Sequence, residues 1–259
     1  VAQDCSGQAP RFPLDPLPTK AVEPERLKAW FRQFVEVRDS EGAERALLTA
    51  IESGMPEATV ADMLCAAATD HYFVAGGHTL DFINKAFELV ERTGWDQAAT
   101  VLPSVVRGLC VALRSEEQNA WRHPIDLVAL VQPALSELPE ILGKPAKVDW
   151  DGFDRLSGVL LRDDPRAIVE ALTEEFHRGA PLQAMSQTLA YAAALRVARF
   201  HTSNEFGDWI TVLHTFTYCN ALHQCIRRSP SEELARGIFH GDMKLYLDRF
   251  LNMPAAALP

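Results

Sequence analysis

The sequence predicts an all-α protein, a helical bundle of two related halves, and three observations carry that expectation. Apolar residues recur at helical spacing in nearly every segment after Pro24, almost nothing alternates with period two, and the breaks fall at glycine-proline corners. With 259 residues, 47% of them hydrophobic, the chain is long enough to bury a large core.

Residues 1–23 carry four prolines and few large apolar groups, so they are expected to run as an extended arm, with residues 24–259 forming one helical domain. ERLKAWFRQFVEV then sets Leu27, Trp30, Phe31 and Phe34 on one helical stripe. Further stripes predict helices over 42–53, 57–73, 78–93, 96–113, 124–136, 150–160, 165–178, 181–200, 208–227 and 231–250. Gly54-Met55-Pro56 and Gly179-Ala180-Pro181 each put a glycine past one helix and a proline at the start of the next.

Those corners suggest duplication. A shift of 125 positions carries Gly54 onto Gly179, Pro56 onto Pro181, Ala46-Leu47 onto Ala171-Leu172, and Leu64 onto Leu189. With an insertion in the second copy, His78-Thr79 and Asn84 meet their counterparts His214-Thr215 and Asn220. The expected units lie near 38–112 and 162–250, joined by 113–161 and packed face to face about a pseudo-twofold axis.

Composition excludes several classes. A net charge of −10 repels phosphate backbones and anionic headgroups, so neither nucleic acid nor a membrane surface is an expected partner. The longest unbroken apolar runs, such as LAYAAAL at 189–195, fall far short of a bilayer span, and no signal peptide is visible; a cytoplasmic location is expected. Five scattered cysteines without a CxxC pair argue against a disulfide framework and a structural zinc site. The P-loop and GxGxxG motifs are missing, so no nucleotide cofactor is expected, and without GxSxG or HExxH neither a serine-nucleophile elbow nor a zinc protease is read.

The eight histidines are the remaining candidates for chemistry. His71 and His78 flank the Gly76-Gly77 elbow, and Asp81 follows one turn on; the plainer reading makes them a helix-end cation and a first-turn polar residue. His214 shares a helical face with Thr217, Tyr218, Ala221 and Cys225, whereas His223 falls opposite. His123 stands beside Glu116, Glu117, Trp121, Arg122 and Asp126, where Pro124 is expected to open a helix; a cap and salt-bridge corner is the alternative. Glu174-x-x-His177 lacks the second copy that a diiron bundle needs and reads as a solvated helix end. His201 is expected to be exposed, and His240 to approach the same interior as His214.

GGHTLDFINKAFELVERTGW, EEQNAWRHPIDL, GDWITVLHTFTYCNALHQCIRR and YLDRFLNMP resemble the helical region that precedes a Rieske iron-sulfur domain in certain bacterial proteins. More distantly, the arrangement of histidines is similar to questin oxidase-like enzymes, helical oxygenases acting on aromatic polyketides. The chain lacks the Cys-x-His and Cys-x2-His ligand pair of a Rieske domain, so such a cluster is expected outside this sequence. The resemblance implies a non-haem oxygenase or oxidoreductase acting on an apolar or aromatic small molecule. Iron (Fe2+) would be held by His71, His78, His123 and His214, with Asp81, Phe82, Tyr218, His223 and His240 around it. The rival expectation is a noncatalytic helical domain that docks a redox partner or holds an adjacent iron-sulfur module.

Overall fold

The computed structural model describes residues 12–19, 22–147 and 149–252, and among them it is helical throughout, with no β-strand. Helices α1 (Pro24–Glu36), α2 (Ser40–Glu52) and α3 (Glu57–Ala67) are followed by the glycine elbow and α4 (His78–Thr93). A 3-10 turn leads to the short α5 (Ala98–Val101) and α6 (Pro103–Cys110), and a second one to α7 (Asn119–Arg122). Then come α8 (Leu127–Leu142), α9 (Phe153–Val159), α10 (Pro165–His177), α11 (Leu182–Ala198), α12 (Phe206–Arg228) and α13 (Glu232–Asp248).

The described part of the arm lies along α2. Leu17 donates its backbone N–H to Thr49 at 2.8 Å, and Arg45 donates to the Asp15 carbonyl at 2.8 Å. The arm residues before Phe12 lie outside the described residues.

Several expected boundaries move: α8 runs on to Leu142 instead of ending at 136, and three shifts have an evident cause. The helix expected over 57–73 ends at Ala67, where Thr69 turns its hydroxyl onto the Ala66 carbonyl and across to Glu233. The helix expected over 96–113 breaks into α5 and α6 at Pro103, which has no N–H to continue the ladder. Pro124 does not open the next helix: its bond to His123 is cis, and α8 starts at Leu127 with Asp126 accepting from the Ala129 N–H at 2.8 Å.

Taken as a whole rather than as an unbroken run, the stretch Trp95–Glu117 is long and apolar enough to cross a bilayer, with a mean hydropathy of 1.3. Here it is folded: Ala98, Leu102, Val106, Leu109 and Cys110 are buried, and α5 and α6 pack on α2 and α4.

The two corners have the same construction. Gly54 and Gly179 take φ of +72° and +85°, where an L side chain is disfavoured. Met55 donates back to the Ala50 carbonyl as Ala180 does to Glu175. Asp39 caps α2 and Asp164 caps α10, each accepting from first-turn N–H groups. Packing has a parallel too: α1 lies on α2 and α3, and α9 lies on α10 and α11. Between them runs one core that includes Phe31, Leu47, Leu64, Phe87, Leu172 and Phe239.

Candidate functional site

Helices α4 and α12 lie side by side in parallel, His78 beside His214 at one end and Glu91 against Arg228 at 2.7 Å near the other. The imidazole centroids of His78 and His214 are 4.6 Å apart at an interplanar angle of 66°. What seats them is Gly77, whose φ of +63° begins α4 and whose missing side chain leaves room for the His214 carbonyl; a Cβ there would lie 2.3 Å from that oxygen.

The pair sits at the rim of the fold rather than in a common interior. His78 is exposed and stacks on Phe82 at 5.1 Å, and Phe82 is itself 55% exposed. Tyr218, one turn beyond His214, is fully buried with its hydroxyl 3.4 Å from the Gly237 carbonyl. Phe82 and Tyr218 therefore do not face one cavity, because α12 turns Tyr218 inward towards α13. Beneath the pair, Lys244 of α13 donates to Thr215 at 3.1 Å and to Asp248. Burial, the neighbouring His78 and the Lys244 charge all lower the His214 pKa and favour its neutral ring. Asp81 is half-buried, and burial raises its carboxyl against the pull of Lys85 and His78. Among the described residues, no hydrogen-bond partner meets a ring nitrogen of His78 or His214.

His71 is in a different place and a different state. Its Nδ1 meets Glu116 and its Nε2 meets Glu36, both at 2.6 Å. Two acceptor carboxylates on one ring require two N–H donors, which an imidazolium supplies. The hydrogen bond to Glu116 accordingly raises the His71 pKa, with Glu36 adding to it against burial. Glu36 is lowered first by His71; burial would raise Glu116, but His71 and the Tyr72 N–H, at 2.9 Å, hold it low. Arg114 closes the cluster on Glu36 at 3.1 Å. A cleft of about 450 Å³ lined by Arg32, Glu36, Asp70 and His71 opens beside it.

Together these positions separate the four expected iron ligands. Both nitrogens of His71 are occupied by carboxylates, and His123 is exposed at the cis-proline turn. Among the described residues, no group of three or more His, Cys, Asp or Glu side chains is arranged to hold a metal ion. An iron centre of His71, His78, His123 and His214 does not fit, since only His78 and His214 come together.

Of the surrounding candidates, His223 is hydrogen-bonded to Ser186 of α11 at 2.9 Å, on the far side of α12 from His214. His240 is 1% exposed, stacked on Tyr72 at 3.8 Å with both ring nitrogens unpartnered; burial pushes its pKa well down. His177 meets Glu137 at 3.2 Å at the solvated end of α10, and His201 is exposed beside Ser203.

Residues absent from the sequence expectation form the densest polar clusters. Lys28, Asp62, Glu233, Arg32, Asp70 and Arg236 join α1, α3 and α13 through contacts of 2.6–3.4 Å. Asp242 is buried with neither carboxyl oxygen partnered, and burial raises its pKa well above the ordinary value against the nearby Arg196 charge. Their only trace in the sequence is a charged residue on an otherwise apolar helix face, a pattern shared with ordinary solvated positions.

No protein-family description, curated protein or solved structure matches this chain.

Proposed function

We propose that this chain is a noncatalytic helical docking domain for a redox partner, with its docking face along α4 and α12 around the His78–His214 pair. One observation carries the reading: Phe82 and Leu213, 55% and 40% exposed, stand on these adjoining helices beside the two imidazoles. Exposed apolar and aromatic side chains on two adjoining helices have a cost in water that a partner surface removes. By contrast, the charged clusters at His71 and at Glu233 are ion-paired within the chain and hold helices to one another.

The oxygenase alternative asks for iron on His71, His78, His123 and His214, and these four side chains do not come together. The small-molecule substrate of that alternative loses its support with it. The partner of the docking reading is of the kind the sequence resemblance implies, a protein or domain carrying a Rieske-type iron-sulfur cluster.

The same reading takes the fold as an internal duplication, with residues near 38–112 and 162–250 as the equivalent units. It is supported by the matched corners, the matched aspartate caps and the parallel α4–α12 pair that places His78 against its counterpart.

The test is titration of the purified chain with a Rieske-type [2Fe-2S] domain by calorimetry. Wild type is expected to bind, and Phe82→Asp/Leu213→Asp to bind at least about tenfold more weakly, since the variant loses two apolar contacts and must desolvate two unpaired carboxylates. No binding by wild type at millimolar concentration, or equal binding by the variant, contradicts the reading.

A further inference from the structure

We propose that His78 and His214 form a two-histidine surface site for a borderline divalent transition-metal ion, such as Cu2+, Ni2+ or Zn2+, whose other coordination positions are filled from outside the chain. The proposal rests on the geometry of the pair and is independent of the docking reading.

Three features of the molecule support it. The first is spacing. An imidazole nitrogen binds such ions at about 2.0–2.1 Å, which puts the metal roughly 3.2 Å from each ring centroid once the ring's own radius is added. Centroids 4.6 Å apart then subtend an angle at the metal of roughly 90°. That angle suits two neighbouring positions of a square-planar or octahedral ion, and a small opening reaches the tetrahedral angle. Aiming both nitrogens at one point takes rotation about the terminal side-chain torsion, which is broad for histidine.

The second is availability. Neither ring has a hydrogen-bond partner among the described residues, unlike His71, His177, His201 and His223, which bond to Glu36 and Glu116, Glu137, Ser203 and Ser186.

The third is fixed placement. The two rings come from different helices, and Gly77 lets the start of α4 rest directly on the His214 carbonyl. A pair set by backbone packing loses little freedom when an ion joins it. No third protein donor completes a cluster among the described residues, so the ion keeps open positions that water, or a side chain of a docked protein, would fill.

The experiment is titration of the full chain with CuCl2 by calorimetry, in parallel with electron paramagnetic resonance of the bound ion. Wild type is expected to take one tight equivalent with two nitrogen donors. His78→Ala and His214→Ala are each expected to weaken it at least about tenfold, by analogy with the loss when even outer partners of a ligand are removed. His123→Ala and His201→Ala should stay within about twofold of wild type, and circular dichroism melts keep folding effects separate. Binding that survives both His78→Ala and His214→Ala, the absence of a tight equivalent in wild type, or a one-nitrogen spectrum overturns the proposal. Copper binding is read on the chain alone and docking by titration with the Rieske-type domain, so the two readings fail separately.

Discussion

Replacing Gly77 by alanine tests the packing that creates the α4–α12 junction. The residue has φ of +63°, and its added Cβ would lie 2.3 Å from the His214 carbonyl oxygen and 3.1 Å from its carbon. The left-handed conformation costs a non-glycine residue about 1–2 kcal/mol. Forcing two backbones apart adds about 1–3 kcal/mol, so the total is about 2–5 kcal/mol. For a chain of this size that corresponds to a fall in Tm of about 5–15 °C. Gly54→Ala is the control, because Gly54 also has positive φ but nothing within 4 Å of an added Cβ. It should show the conformational cost alone, about 1–2 kcal/mol. Thermal melts followed by circular dichroism give both values. If Gly77→Ala melts within 2–3 °C of Gly54→Ala, a difference worth about 1 kcal/mol, the close approach of α4 to His214 is wrong.

The other predictions concern charge and capping. The His71 clamp gives a defined pH profile: raised His71 stabilises fully below its unfolded pKa, and that contribution is lost as pH rises through its folded pKa. Lowered Glu36 and Glu116 stabilise above their unfolded pKa and lose that contribution as pH falls through their folded values. Urea melts should therefore place the clamp's greatest contribution between the carboxylate and histidine transitions, and His71→Ala should flatten both flanks. Glu175, 3% exposed, accepts from Trp150 at 2.8 Å and Arg155 at 2.6 Å. Glu175→Ala should cost about 2–4 kcal/mol by chemical denaturation, at or below the loss for breaking a buried pair because Arg155 is half-exposed and regains water. Asp39→Ala and Asp164→Ala should each lose about 1 kcal/mol, and a difference between them above about that size would count against equivalent corners.

How legible each part was in the sequence follows from how local its cause is. Gly54 and Gly179 mark corners because positive φ and a following proline act within a few residues, so the order of the major helices could be read directly. Thr69 was less legible: it ends α3 partly by bonding Glu233, which no local pattern announces. The repeated His-Thr spacing pointed to His78 and His214 and to their closeness, whereas His71 looked equally available. What removed it were Glu36 and Glu116, remote in sequence on either side, and carboxylates at such separations leave no periodic trace. In α13 the sequence sends His240 towards an interior but does not mark Asp242 or Asp248; all three are buried because α13 is covered by α8, α11 and α12.

The proposed docking face is the α4–α12 junction. Proton NMR of the eight histidine rings during titration with a Rieske-type [2Fe-2S] domain tests it most directly. The His78 and His214 resonances are expected to shift or broaden first, with His71, His177 and His201 unmoved. Early changes at His123 or His177 with His78 and His214 unaffected would contradict it.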